Sequence, residues 1–121
     1  MANTSWLDLL YTNGYSPCHM KNRLNRTDVF AAWLRGIRDM KAKVRVFARL
    51  DAASKGNFGD CRSVGEGVFE MRIDVGAGYR IYYAREDIFV YLLLAGGDKH
   101  TQDVDIKSAK KMWQTIREGQ K

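Results

Sequence analysis

Five side chains of this 121-residue chain have the types and spacing to handle a phosphate group. Arg72 and Arg80 offer planar cationic forks matched to phosphate oxygens, and Tyr82 a stacking surface or a weak acid. Lys99 and His100 stand side by side. His100 has an intrinsic pKa suited to proton transfer near neutrality, and Lys99 either holds the phosphate or, with its pKa depressed, acts as a base. Upstream, Lys41, Lys43, Arg45, Arg49 and Lys55 add cations of one sign along a single stretch. They are read either as contacts to a polyanion backbone or as a solvated face. Like charges at helical spacing repel, so a one-signed face is disfavoured for solubility alone.

These groups are useful only if the chain brings them together. In Phe69-Glu70-Met71-Arg72-Ile73-Asp74 apolar and charged residues alternate, and Tyr79-Arg80-Ile81-Tyr82-Tyr83 alternates again after the turn Val75-Gly76-Ala77-Gly78. The two runs read as an antiparallel hairpin with Phe69, Met71 and Ile73 toward the core. Glu70 and Arg72 then share the opposite face, and Arg80 and Tyr82 point the same way as Arg72. Glu70 is read as pairing with Arg72 or Arg80 across a wet surface, which would make the face structural; the other reading makes it a phosphate cradle. Arg85-Glu86-Asp87 makes the next turn and Ile88 to Leu94 the central strand. Gly96-Gly97-Asp98-Lys99 leaves the sheet and sets Lys99 and His100 at the strand's carboxyl end, where loops carry function. Asp98 is a helix cap or turn residue, and Gln102 a nucleic-acid contact or a cap.

The remaining elements follow from helical spacing. Lys21 to Arg26 reads as a short first strand, and Thr27 or Asp28 caps a helix whose inner face is Phe30, Trp33, Leu34 and Ile37. A second helix is expected after Asp39, with Met40, Val44, Phe47 and Ala48 inward, ending at Gly56-Asn57-Phe58-Gly59-Asp60. Thr101 or Asp103 starts a last helix with Ile106, Ala109, Trp113 and Ile116 on its apolar side. Trp33, Phe47, Phe69 and Trp113 are assigned to the core. The order is strand, two helices, three-strand meander and closing helix. This is an α+β domain with its helices on one face of a small antiparallel sheet.

Composition bounds the rest. Twenty Lys and Arg against 14 Asp and Glu give a formal charge of +6, which favours a polyanionic partner. A hydrophobic fraction of 45% excludes a disordered chain. Cys18 and Cys61 lie in unrelated contexts and, with His19 and His100, are too sparse for a zinc site, so no metal or other cofactor is expected. The two glycine clusters read as turns and neither has the pattern of a nucleotide-binding loop, which argues against a small-molecule enzyme. The apolar run Ile88 to Ala95 is too short to span a bilayer, and no basic stretch precedes an apolar core at the amino terminus. The expected compartment is the cytoplasm. Residues 1–19 carry the turn signals Asn13-Gly14 and Ser16-Pro17 and are read as an extension, mobile or mis-started, before a domain spanning residues 20–121 that opens at Met20.

Four ordered motifs carry a resemblance. They are Gly56-Asn57-Phe58-Gly59-Asp60, the run Gly65 to Ile73, Gly78-Tyr79-Arg80-Ile81-Tyr82-Tyr83, and Leu92 to Lys99. Together with the Asp105-Ile106 and Ala109 spacing, they resemble the phage-derived Gp49-like, HigB-type addiction module killer proteins of the RelE/ParE toxin superfamily, over about Met20 to Ile116. The resemblance implies a RelE-like fold and the toxin of a toxin–antitoxin pair, neutralised by a cognate antitoxin, often of helix-turn-helix type. It also implies an mRNA interferase, an endoribonuclease that cuts messenger RNA on the ribosome and so inhibits translation. In that chemistry the ribose 2′-hydroxyl is the nucleophile. A base takes its proton, cations balance charge at phosphorus and an acid protonates the leaving oxygen, with no metal. Arg72 and Arg80 then match strand arginines that serve in catalysis, while Lys41, Lys43, Arg45, Arg49 and Lys55 become RNA-binding. At His100 the family commonly has a small polar residue, so Lys99 is the stronger assignment. Other members of the superfamily poison DNA gyrase on the same fold, and a non-catalytic binding component is the third reading.

Overall fold

The computed structural model describes residues 21–119; the expected extension at residues 1–19, with Cys18 and His19, and the expected start at Met20 lie outside them. The elements run β1 (Arg23–Arg26), α1 (Asp28–Arg35), α2 (Met40–Ser54), β2 (Cys61–Gly65), β3 (Val68–Ile73), β4 (Tyr79–Asp87), β5 (Val90–Asp98), a 3₁₀ turn (Lys99–Thr101) and α3 (Gln102–Gly119). The five strands form one sheet in the order β1-β5-β4-β3-β2. Among the described residues the fold is thus α+β with three helices, none of them long and apolar enough to cross a membrane.

Local chemistry sets the helix starts as expected. The Thr27 Oγ accepts from the Phe30 N–H at 3.0 Å and donates to the Leu94 carbonyl at 2.7 Å, so one hydroxyl both caps α1 and ties it to β5. Asp39 caps α2 through Lys41 N–H and Ala42 N–H. Gly36 is the C-cap of α1.

The sheet corrects the expected architecture in three ways. It is mixed, because β1 lies parallel to β5 with Arg23 opposite Val90 and Arg26 opposite Leu93. Cys61–Gly65 forms an additional edge strand that the lack of strict alternation there concealed. The centre of the sheet is β4 rather than the strand after it; β4 runs on through Arg85-Glu86-Asp87, leaving Ile88 and Phe89 as an exposed turn.

Helices cover both faces, where a single covered face was expected. On one side α1 and α2 pack through Phe30, Leu34, Ala42, Val46 and Ala53 onto Met71, Ile73, Ile81, Tyr83 and Leu93. On the other side α3 packs through Ala109 and Trp113, with Ile106 and Ile116 beside them, onto Val68, Tyr82, Ala84, Leu92 and Leu94. Gly96 and Gly97 belong to β5 itself. A β-carbon at Gly96 would meet the Trp33 ring, and one at Gly97 would meet the Asp105 carboxyl. Bare backbone at these two positions is what lets α1 and α3 close on the same strand from opposite sides.

The inward face of α2 is also corrected. Met40, Val44, Phe47 and Ala48 point to solvent, and Ala42, Val46 and Ala53 point in. Small side chains bring this helix close to a sheet face already filled by Met71, Tyr83 and Phe69. Phe47 therefore leaves the predicted core, whereas Trp33, Phe69 and Trp113 remain packed against it.

Candidate functional site

The strand register sets the polar face as the alternation required. Glu70 stands opposite Tyr82 and Arg72 opposite Arg80. What the alternation could not show is that α3 crosses this face and converts its inner half into core. Glu70 and Tyr82 are both 0% exposed.

A buried carboxylate is tolerated only with partners, and Glu70 has four from three elements. Its Oε1 accepts from Arg62 Nε of β2 at 2.8 Å. Its Oε2 accepts from Gln102 Nε2 of α3 at 2.7 Å and from the Tyr82 hydroxyl of β4 at 3.1 Å. Arg80 Nε lies 3.8 Å from the same oxygen, an ion pair without a hydrogen bond. Burial would push the Glu70 carboxyl up, but the bonds from Arg62, Gln102 and Tyr82 outweigh it and hold the group below its ordinary value. Burial, reinforced by the Glu70 charge, pushes the Tyr82 phenol well above its ordinary range. Tyr82 is therefore neither a stacking surface nor an acid available near neutrality. It is a buried donor to Glu70.

The remaining residues divide cleanly. Arg80, Lys99 and His100 line one cleft of about 640 Å³, together with Asp74, Gly76, Ala77 and Gly78 of the β3–β4 turn. Gly78 takes a φ of +81°, and a β-carbon there would sit 3.3 Å from Lys99 Cβ and 3.6 Å from Arg80 Nη1. A glycine at this turn is what allows the two cations to converge. Arg80 Nη1 reaches the Gly78 and Tyr79 carbonyls at 3.3 and 3.4 Å, and its buried Nε has no hydrogen-bond partner. The Asp98 carboxylate receives the His100 N–H at 2.8 Å and the Thr101 N–H at 3.3 Å, fixing the turn that carries Lys99 and His100. Asp98 is thus the turn cap, and Gln102 opens α3 while clamping Glu70.

Arg72 is on the same face but not in this cleft. Its guanidinium is turned to Asp60, with Nη2 3.1 Å from Oδ1, and that carboxylate raises its pKa above the ordinary value. The expected row of RNA-binding cations also breaks up. Arg49 spends its guanidinium on three backbone carbonyls, Arg72 at 2.6 Å, Phe58 at 3.0 Å and Asp60 at 3.3 Å, so it pins the loop before β2 to β3. Lys55 pairs with Asp51 one turn back at 3.0 Å. Lys41 and Arg45 stand free of such pairing among the described residues and edge a shallow groove beside Met40, Val44 and Val75. Asp74 and Arg62 were not singled out from the sequence. An aspartate at the end of an alternating run and an arginine on an edge strand have no local signature of a site.

In chemical terms the cleft places two cations, a carboxylate and an imidazole around a space open to solvent. No family model matches the chain. It is 43% identical over 97 residues to an uncharacterized protein of Haemophilus influenzae (strain ATCC 51907 / DSM 11121 / KW20 / Rd), an alignment covering 80% of this chain and 98% of that relative.

Proposed function

We propose that this chain, which belongs to the same family as the uncharacterized Haemophilus influenzae protein, is a RelE-like toxin of a toxin–antitoxin pair that cleaves messenger RNA at the Arg80–Lys99–His100 cleft. The observation that carries the reading is the convergence of Arg80 from β4 with Lys99 and His100 from beyond β5, across a turn whose positive φ at Gly78 favours glycine. Arg80 and Lys99 balance the charge that builds on phosphorus as the ribose 2′-hydroxyl attacks. His100 and Asp74 are the two groups in the cleft able to relay the proton from that hydroxyl and to the leaving oxygen. Arg80 is already desolvated on its Nε side and backed by Glu70, so its cation is oriented before substrate arrives. The resemblance of the four sequence motifs to HigB-type proteins supports the choice of RNA, the ribosome and a cognate antitoxin as partners.

The test is inducible expression without an antitoxin, following growth and mapping mRNA 5′ ends. Growth arrest with new ends inside translated frames, lost in Arg80→Ala and in Lys99→Ala, is the expected result. Arrest with intact mRNA would transfer the toxicity to gyrase or another target, and unaffected growth would leave only a binding role.

A further inference from the structure

The sheet face beneath α1 and α2 stays open at one corner, beyond the carboxyl end of α2. There Phe58, Cys61, Phe69, Tyr83, Arg85 and Tyr91 line a cavity of about 260 Å³, drawn from the loop before β2 and from β2, β3, β4 and β5. Four aromatic rings form its walls. Phe58 and Phe69 both stack on Tyr83, with ring centroids 5.2 and 5.6 Å away, and Tyr91 closes on Phe58 at 4.8 Å. Tyr83 is buried, but the other three rings keep one side bare. Arg85 and the Cys61 thiol are exposed at the rim, and Arg85 Nε donates to the Asp87 carbonyl at 3.2 Å. A second groove shares Phe58, Arg85 and Tyr91 with this cavity and continues to Ile88, Phe89 and Lys21. Ile88 and Phe89 are 62% and 53% exposed. Apolar surface therefore runs unbroken from the aromatic cavity to Lys21, and a contiguous exposed patch of this kind marks an interaction site.

We propose that this corner is the docking site for the chain's own Trp6-Leu7-Asp8-Leu9-Leu10 segment, which lies outside the described residues. Trp6 enters the aromatic cavity, and the leucines lie along the adjoining groove. Place is the first argument. The chain enters the domain at Lys21, a wall of that groove, and the stretch from Trp6 to Lys21 can span about 50 Å when extended. Asn13-Gly14 and Ser16-Pro17 supply the turns for a reversal, and the tether keeps the segment at high effective concentration. Size is the second. The cavity is smaller than the roughly 300–1,000 Å³ of sites for free small molecules and suits one large side chain. Chemistry is the third. The aromatic walls offer an indole offset and tilted stacking, and Arg85 offers a cation for its face. Residues 1–20 contain no Lys or Arg, and their one carboxylate, Asp8, is of opposite sign to Arg85 and Lys21. A nucleic-acid strand fits less well, because it needs a cationic track and Arg85 is the one cation among the described residues lining the cavity. A second copy inserting its Ile88-Phe89 turn would bring the Arg85 side chains of both copies together.

Phe69 and Tyr83 face away from Glu70 and Tyr82 across the sheet, so the inference stands apart from the cleavage reading. Its test uses the purified full chain with the photo-crosslinking residue p-benzoylphenylalanine at Trp6 and, as control, at Asn13. After irradiation the monomer band is digested and crosslinked peptides are identified by mass spectrometry. The expected result is an intrachain crosslink from position 6 to a peptide containing Phe58, Phe69, Tyr83 or Tyr91, not obtained from position 13. Its yield falls at least tenfold in a Leu9→Asp/Leu10→Asp chain. A second measurement keeps the native indole. In a Cys18→Ser chain Cys61 is the sole thiol, and Trp6→Asp should speed its alkylation by iodoacetamide at least tenfold with an unchanged far-ultraviolet circular dichroism spectrum. A crosslink to a second copy, to bound nucleic acid or to another part of the surface overturns the proposal. So does the absence of any crosslink, a yield indifferent to the leucine changes, or an alkylation rate indifferent to Trp6.

Discussion

The cleft and the outward face of α2 are both edged with cations, but the fold treats the two sets differently. Arg80 is 9% exposed and is backed by a carboxylate that the sheet and α3 have sealed from water. Lys41 and Arg45 stand on an exposed helix surface beside side chains the core does not need. Fixing a guanidinium in advance is what a site needs when it must stabilise charge at one point in space. Exposed lysines and arginines around an apolar row suit a surface that selects a partner by sign and shape. Similar charges on one small domain therefore have different physical meanings, decided by what lies behind them.

The contrast can be pressed hardest at Glu70. Glu70→Ala leaves Arg62 and the buried edge of Arg80 without their anion and is expected to lower unfolding free energy by about 3–5 kcal/mol, read by urea denaturation. No single change on the outward face of α2 should approach that loss. Next in size is Arg80→Ala, which should reduce mRNA cleavage about 100-fold, as expected for removal of one preorganised charge donor. Val44→Asp should leave cleavage by the isolated chain unchanged, and a loss there would join the two regions functionally.

The two faces of α2 offer an internal comparison. Val46→Ala opens space in the core and should destabilise by about 2 kcal/mol, while Val44→Ala should stay within about 0.5 kcal/mol. Equal losses would mean that the outward face is packed in solution. The smallest effect is on pH dependence. Because the folded Glu70 carboxyl titrates below its ordinary value of 4.5, its stabilising contribution is complete above that value and is lost as pH falls through the depressed one. Thermal melts from pH 7 to pH 3 should show wild type losing more than Glu70→Gln in the acid window. Parallel curves would remove Glu70 as a charged hub.

Much of the frame could be read from the residues. The Thr27 cap, the β3–β4 hairpin with Glu70, Arg72, Arg80 and Tyr82 on one face, and the Ala109–Trp113 side of the last helix are all local patterns, because periodicity and capping act within a few residues. Lys99 and His100 as a pair at the end of a strand were legible for the same reason. Arg72 and Tyr82 were placed on the right face but given the wrong surroundings: Asp60 claims one and Glu70 the other. Arg49 looked like one basic residue among several, since nothing near it in sequence shows that three carbonyls converge on its guanidinium.

The sequence by itself determined the order of every element but β2 and, outside α2, the side chains each presents, because these depend on hydrophobic period and on hydrogen bonds between near neighbours. Only the tertiary structure decided that β1 joins β5 in parallel, that α3 crosses the polar face, and that α2 turns Ala42 and Val46 inward instead of Val44 and Phe47. Each of these is a choice between surfaces of similar apolarity, settled by shape and by contacts far apart along the chain. The crossing of α3 then turned Glu70 from a surface charge into a buried anchor, and the turn of α2 left a hydrophobic row facing solvent.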